Sequence, residues 1–250
     1  MQRYFLKEPY EPKEYYEIKD ENYHHIVRVM RMSVGERNFL VFNDGIAILA
    51  EIITISEESV ELKEISKESM EKEMPVQVTV ACGFPKGDKL EWIVQKGTEL
   101  GAHQFIGFPA KTSVVKWDHK KRENKAKRLQ KIATEAAEQS HRQIVPQVHL
   151  FDKEQALIDG FPKYSQVIVA YEESAKQGEK GNFAKVLTAL GTGDNVLVIV
   201  GPEGGFSEAE ITDFQNAGAI LCGLGPRILR AETAPLYVLS AISYQLELVK

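Results

Sequence analysis

Two glycine-rich segments near the C-terminus hold the residue types best suited to binding a ligand. The first is Gly201-Pro202-Glu203-Gly204-Gly205-Phe206-Ser207. The second is Leu224-Gly225-Pro226-Arg227-Ile228-Leu229-Arg230-Ala231-Glu232-Thr233-Ala234. In the first, Gly204 and Gly205 admit positive φ and close backbone approach to a ligand. A helix starting at Ser207 would point free amides and a positive dipole end at the loop. A phosphate loop needs Gly-x-x-x-x-Gly-Lys-Ser/Thr, and this segment has no lysine. Nor does it match the dinucleotide pattern Gly-x-Gly-x-x-Gly, and Glu203 would repel a phosphate. A ligand with hydrogen-bonding edges and some positive charge fits better; a tight turn with no ligand is the plain alternative. In the second segment Arg230 and Glu232 flank Ala231 before a helix entry at Thr233, and Arg227 lies about one helical turn earlier. These residues either pair at the surface or orient an anionic or carbonyl-bearing substrate beside a carboxylate.

The elements around these segments place both at one end of a sheet. Val167–Ala170 and Val196–Val200 are continuous apolar runs, as central parallel strands should be. Val76–Cys82, Gln104–Phe108 and Ala219–Leu224 are further strand signals. Between them, Leu90, Ile93, Val94, Gly97 and Leu100 form a helical stripe. A long helix is expected from about Arg122 to His141, and a final one from about Pro235 to Val249. Ser207 and Glu210 have capping-box spacing. Strand-helix alternation from Pro75 onward implies a mostly parallel α/β sheet, whose ligands bind at the carboxyl ends of the strands. Residues 1–72 read differently, as a small β-rich barrel. Its strands are Phe39–Phe42, Ile46–Ile55 and Ser59–Ile65, with a turn at Asn43-Asp44-Gly45 and a helix over Asn22–Met30. The glutamate-rich stretch 66–74 reads as a linker between this domain and a second over 73–250.

The 250-residue chain, 43% apolar and 27% charged, has an ordinary globular composition. Its net charge of −5 argues against a simple nucleic-acid binder, but the charge is uneven. Residues 56–73 are acidic and residues 111–131 basic, the latter either a solvated helix face or a nucleic-acid contact. No apolar run is long enough to span a bilayer and the N-terminus lacks a secretion signal, so a cytoplasmic protein is expected. Cys82 and Cys222 are expected to be reduced core residues, and no Cys/His cluster has metal-ligand spacing.

Taken together, Gly-Pro-Glu-Gly-Gly at 201–205 and Leu-Gly-Pro-Arg-Ile-Leu-Arg-Ala-Glu-Thr-Ala at 224–234 resemble the signature of the RsmE family. These are SPOUT-class methyltransferases acting on N3 of a uridine in small-subunit ribosomal RNA. Arg3-Tyr4-Phe5, His24 to Arg31, Gln95 to Gly101 and Glu138 to Arg142 resemble further family motifs, in family order, so the likeness covers nearly the whole chain. One departure is Lys111-Thr112-Ser113, where the family often has Glu-Arg-Ser; no arginine function carries over to Thr112. The resemblance implies an N-terminal PUA-like RNA-binding barrel and a C-terminal SPOUT-type parallel sheet with a deep trefoil knot. It also implies a homodimer with the active site at its interface, and S-adenosylmethionine as cofactor. Three loops would enclose that cofactor. The first offers Tyr171 and Glu172. The second offers Val200, Gly201, Pro202, Glu203, Gly204 and Gly205. The third offers Leu224, Gly225, Ile228, Leu229, Arg230, Thr233 and Ala234.

For catalysis the candidates are Arg230, to stabilise charge on a uracil oxygen, and Glu203 or Glu232, to accept the N3 proton or to hold Arg230. With the family in view, Lys116, Lys120, Lys121 and Arg122 of the basic run become RNA contacts. Arg142, Arg3, Arg28 and Arg31 join them. Two other classes stay open: a SPOUT enzyme with another target, such as a ribose 2′-hydroxyl of transfer RNA, and a non-catalytic RNA-binding or assembly protein of the same fold.

Overall fold

The computed structural model describes residues 1–172 and 181–249. Backbone contacts divide them into two compact units, Met1–Glu73 with Ala137–Ile144, and Met74–Ala136 with Val145–Lys250.

The first unit is a five-stranded sheet in the order β1-β3-β4-β5-β2. Its strands are β1 (Arg3–Phe5), β2 (Tyr16–Ile18), β3 (Arg37–Val41), β4 (Ala47–Ile55) and β5 (Val60–Lys67). Register shifts between Leu49 and Ala50 and between Ile52 and Thr54 bend the β4–β5 hairpin, as bulges do, and curl the sheet. One face buries Tyr4, Leu40, Phe42, Ile48, Ile52, Val60 and Leu62. The expected helix is a short α1 (Asp20–His24) that widens into a π-helical turn at His25–Val29. On this helical stretch only Ile26 is fully buried; Val29 and Met30 face solvent.

The stretch 66–74 is not a free linker. β5 runs through Lys67, and two of the carboxylates that follow, Glu68 and Glu73, are anchored inside the unit. Glu68 pairs with Arg3 at 2.7 Å. Glu73 pairs with Arg142 and accepts the backbone N–H groups of Gln143 at 2.9 Å and Ile144 at 3.1 Å. Buried ions demand such partners, so glutamates that look like solvated filler become internal posts.

The second unit carries a parallel six-stranded sheet in the order β11-β9-β10-β6-β7-β8. These are β6 (Gln77–Gly83), β7 (Gln104–Phe108), β8 (Gln147–Leu150), β9 (Gln166–Ala170), β10 (Asn195–Val200) and β11 (Ile220–Cys222). The flanking helices are α2 (Lys89–Glu99), α3 (His119–Gln139), α4 (Gln155–Ile158), α5 (Asn182–Ala189), α6 (Glu208–Asn216) and α7 (Thr233–Ser243). After α7 the chain continues as π-helical turns through Val249. Strand side chains alternate between faces. Val78, Val80, Ile168, Val196 and Val198 meet Ile93, Leu129, Val238 and Leu239 on one side. Ala81, Ile106, Val167, Val169, Leu197 and Ile199 meet Leu157, Phe161, Ile211 and Phe214 on the other. Both faces are covered, which explains the uninterrupted apolar runs. Cys82 and Cys222 are both buried, and burial pushes the Cys82 thiol up to about 12, so it is unreactive.

The capping box at Ser207 forms as its spacing implies. Glu210 Oε2 accepts the Ser207 N–H at 2.7 Å, and Ser207 Oγ accepts the Glu210 N–H at 3.3 Å. The other oxygen of Glu210 accepts the Lys111 N–H at 2.7 Å and so ties a second loop to this helix start. Burial opposes the Glu210 charge, but the N–H groups of Lys111 and Ser207 outweigh it and hold its carboxyl below the usual range. Glu154, at the start of α4, is the reverse case. Burial, and then the hydrogen bond and negative charge of Glu210, push its carboxyl up to about 7.

A raised carboxyl pKa means that the folded chain holds the Glu154 proton more tightly than the unfolded chain does. Its contribution to stability is therefore complete below the ordinary carboxylate range and is lost as pH rises through about 7. Urea midpoints measured at about pH 5 and about pH 8 should fall less for Glu154→Gln than for the unaltered chain. Equal falls would show that this carboxyl is not linked to folding.

Candidate active site

Strand addition reverses direction between β8 and β9, which leaves a crevice at the carboxyl ends of β6, β9 and β10. A cavity of about 820 Å³ opens there, within the range for small-molecule sites. It lies within the second unit. Its wall is built from three segments, each leaving the end of a strand: Ala170–Glu172 after β9, Val200–Phe206 after β10 and Leu224–Ala231 after β11. Lys89, at the start of α2, and Ala234, in α7, complete it.

The first glycine-rich loop is held tightly from behind. Gly205 has φ +66°, and its N–H closes a turn onto the Pro202 carbonyl at 2.9 Å. A Cβ on Gly201 would lie 3.0 Å from the Gly205 backbone, so the loop folds back on itself only because residue 201 lacks one. Thr112 donates its hydroxyl to the Gly205 carbonyl at 2.6 Å, and a Cβ on Gly204 would lie 2.9 Å from the Thr112 Cβ. Residue 112 therefore acts here as a small, hydrogen-bonding brace, a fit that a long arginine would not reproduce. Phe206 packs edge-on against Phe214, with ring centroids 5.3 Å apart, and anchors the far end of the loop.

The second loop ends where the Arg230 carbonyl accepts the Thr233 N–H at 2.8 Å and the Ala234 N–H at 3.0 Å, starting α7. Gly225 has φ +99° and makes the turn after Leu224. Leu229 faces the core, whereas Ile228 is 70% exposed at the cavity wall.

The charges are arranged differently from the sequence expectation. Glu203 and Glu232 do not hold Arg230; both face Lys89. Lys89 Nζ lies 2.9 Å from Glu203 Oε1 and 3.2 Å from Glu232 Oε2. Glu203 also accepts the Lys86 N–H at 3.1 Å. Burial alone would raise the Glu203 carboxyl, but Lys89 and backbone N–H groups hold it below the usual carboxylate range. It is ionised at neutral pH and is a weak base. Glu232 Oε2 is enclosed and makes a charge contact with Lys89 but no aligned hydrogen bond. Among the described residues neither Arg227 nor Arg230 has an ion-pair partner, and both line the cavity.

Of the residues expected at the cofactor, Tyr171, Glu172, Val200, Gly201, Pro202, Glu203, Gly204 and Gly205 all line the cavity. Leu224, Gly225, Ile228, Leu229, Arg230 and Ala234 do so too, while Thr233 is exposed on α7 outside the lining. The sequence expectation did not include Lys89, Ala170, Phe206, Pro226, Arg227 or Ala231. The lining suits S-adenosylmethionine. Apolar walls from Val200, Pro202, Leu224, Leu229 and Ala234 accept an adenine face, and the Glu203 carboxylate in the lining offers local negative charge for a sulfonium; Glu232 pairs with Lys89 but is not part of the lining.

The expected RNA contacts separate into two groups. Arg28, Arg31, Lys116, Lys120 and Lys121 are exposed. Lys120 and Lys121 border a shallow concavity with Asp118, Asn124, Lys125 and Arg128. Arg3 and Arg142 are 1% and 3% exposed and are spent on Glu68 and Glu73, so neither offers its charge to a phosphate. Arg122 turns inward and donates to the Trp117 carbonyl at 2.9 Å. Lys125 and Arg128 share Glu91, which discounts the basic run further. Among the described residues there is no cluster able to hold a metal ion, and no helix is long and apolar enough to cross a membrane.

Comparison with known proteins adds to this geometry. Residues 72–243 match the model of an RNA methyltransferase domain, and residues 18–65 that of an RNA methyltransferase PUA domain. Ribosomal RNA small subunit methyltransferase E of Bacillus subtilis (strain 168) is 48% identical over 253 residues, covering 100% of this chain and 99% of that protein. A crystal structure of a hypothetical protein, 45% identical, covers 100% of both chains with a TM-score of 0.91. That of ribosomal RNA small subunit methyltransferase E from Neisseria gonorrhoeae, bound to S-adenosyl methionine, has a TM-score of 0.82 at 26% identity over 97% of each chain. The chain belongs to the ribosomal RNA small subunit methyltransferase E family.

Proposed function

We infer that this protein transfers a methyl group from S-adenosylmethionine to N3 of a uridine in small-subunit ribosomal RNA. The observation that carries the reading is the cavity built by two glycine-rich loops at the strand ends, whose wall holds Glu203 and two arginines without an ion-pair partner among the described residues. It stands in a chain that matches a small-subunit ribosomal RNA methyltransferase from end to end. Bound there, S-adenosylmethionine supplies an electrophilic methyl group. The protein's own residues must then make a poor nucleophile reactive, because uracil N3 carries a proton at neutral pH. Among the described residues Arg230 has no carboxylate partner, so its guanidinium is available to the carbonyl oxygen that gains charge as N3 loses its proton. Glu232, whose Oε2 lies 3.2 Å from the Lys89 ammonium, is the candidate to take that proton. Glu203, weakly basic and firmly partnered, supplies fixed negative charge instead. The target base leaves its stack to enter such a site.

The RNA phosphates are assigned to the exposed cations Arg28, Arg31, Lys116, Lys120 and Lys121. The active form is assigned as a homodimer that closes the site. Supporting this, Trp92 on α2 and Tyr237, Tyr244 and Leu248 along the last helix expose large apolar surface, as does Ile228 at the cavity. The same reading includes the knotted path expected for residues 73–250, which tracing the chain in a crystal structure would test.

In a methyl-transfer assay on small subunits lacking the modification, nucleoside analysis should find 3-methyluridine. Arg230→Ala should lower kcat by about 100- to 1,000-fold with S-adenosylmethionine affinity little changed. Full activity in that variant would remove Arg230 from the mechanism, and a different methylated nucleoside would overturn the N3 assignment. Lys120→Glu with Lys121→Glu should bind ribosomal RNA more weakly and reduce the log-log salt slope by roughly 0.7–0.9 per lost contact; an unchanged slope excludes that patch. Trp92→Glu with Tyr244→Glu should sediment as a folded monomer and lose activity. A fully active monomer would contradict the dimer.

A further inference from the structure

Among the described residues, Lys89 is the charged side chain at the cavity that pairs with both functional loops. It does so from a third direction, since it opens α2 after β6 whereas Glu203 follows β10 and Glu232 follows β11. Gly87, at φ +63°, turns the chain sharply between β6 and α2, and the Lys86 N–H from the same turn is already bonded to Glu203. The β6–α2 turn therefore grips the first loop twice, through a backbone amide and an ammonium, and extends that ammonium to the second loop.

The ordinary account of such a lysine is a surface ion pair, which contributes little. Three features separate Lys89 from that case. Its side chain is only 31% exposed and lines the cavity. It serves two carboxylates on separate segments, which would repel each other across the same space without it. Finally, among the described residues no other side chain pairs with either carboxylate.

We propose that Lys89 is a positioning residue for methyl transfer, whose ammonium fixes Glu203 and Glu232 in the geometry that receives the sulfonium and the substrate N3–H. The proposal rests on the methyltransferase reading above. Lys89 supplies no atom to the reaction; it aligns groups that do, so that the acidic wall is set before the ligands arrive. Its hydrogen bond to Glu203 outweighs burial, and contact with Glu232 adds to it, which raises the Lys89 pKa, while Lys89 helps to lower that of Glu203. Removing the ammonium should therefore let Glu203 protonate at higher pH and let the two carboxylates move apart.

The test compares Lys89→Met and Lys89→Arg with the unaltered protein. Circular dichroism first confirms folding; if Lys89→Met does not fold, Lys89→Gln is measured in its place. In the cofactor-free protein, a carbon NMR titration of the Glu203 side chain should move to higher pH in Lys89→Met and stay near its original position in Lys89→Arg. With small subunits and S-adenosylmethionine, Lys89→Met should lose up to about 100-fold in kcat. Its acid limb should shift to higher pH, and Lys89→Arg should recover most of the rate. Combining Lys89→Met with Glu203→Gln should cost less than the product of the two single losses, since both remove one contact. An unmoved Glu203 titration with an unmoved pH profile, or independent losses in the double variant, would overturn the role of Lys89. Failure of the unaltered protein to bind S-adenosylmethionine would instead overturn the methyltransferase reading.

Discussion

The site depends on one topological constraint: a parallel sheet whose strand order reverses. Because β7 and β8 extend one side of β6 while β9, β10 and β11 fill the other, the loops leaving β9, β10 and β11 gather over the same strand ends. Parallel pairing sends each of those segments out at the carboxyl end, and those after β10 and β11 then turn back toward a helix. The glycines sit where that turn is tightest. Gly205 and Gly225 take positive φ, and Gly201 and Gly204 leave room for backbone and for Thr112. The cavity follows from this geometry before any charged residue is considered.

Charge then sets which ligand the cavity accepts, and the polar groups behind the loops keep that charge in place. Glu210 uses both oxygens, one on the α6 start and one on the Lys111 N–H. Thr112 reaches the Gly205 carbonyl from the same stretch of chain. The loop after β7 is thereby fastened both to Gly205 at the end of the glycine turn and to the start of α6 that follows it. Lys89 ties the front of the first loop to the second. Arg227 and Arg230 line the cavity and, among the described residues, stay outside this network; the proposed reaction, which creates negative charge on a base, would draw on such cations.

Much of this was legible in the sequence, for identifiable reasons. The runs at Val167–Ala170 and Val196–Val200 read as buried strands because both sheet faces are covered, and the Ser207-Glu210 spacing encodes a cap that forms locally. The loops announced themselves through glycine. Groups whose role depends on distant contacts did not. Glu68 and Glu73 look like linker residues until Arg3 and Arg142 arrive from elsewhere in the chain, and the same pairing withdraws those arginines from RNA. Thr112 carries no local signal for its bond to Gly205, more than ninety residues away. Lys89 had a faint one: it follows a strand and a glycine turn at the end of the sheet where ligands bind. The absence of a lysine within the glycine loop was correct, yet a lysine reaches that loop from another strand, where two glutamates neutralise it.

The central claim is that the loops after β9, β10 and β11 together hold S-adenosylmethionine. Amide hydrogen exchange with and without the cofactor tests it most directly. Saturating S-adenosylmethionine should slow exchange at Tyr171–Glu172, across 201–206 and across 224–231, while the curled sheet of the first unit is unchanged. Protection that appears elsewhere and leaves these three segments untouched would contradict the account.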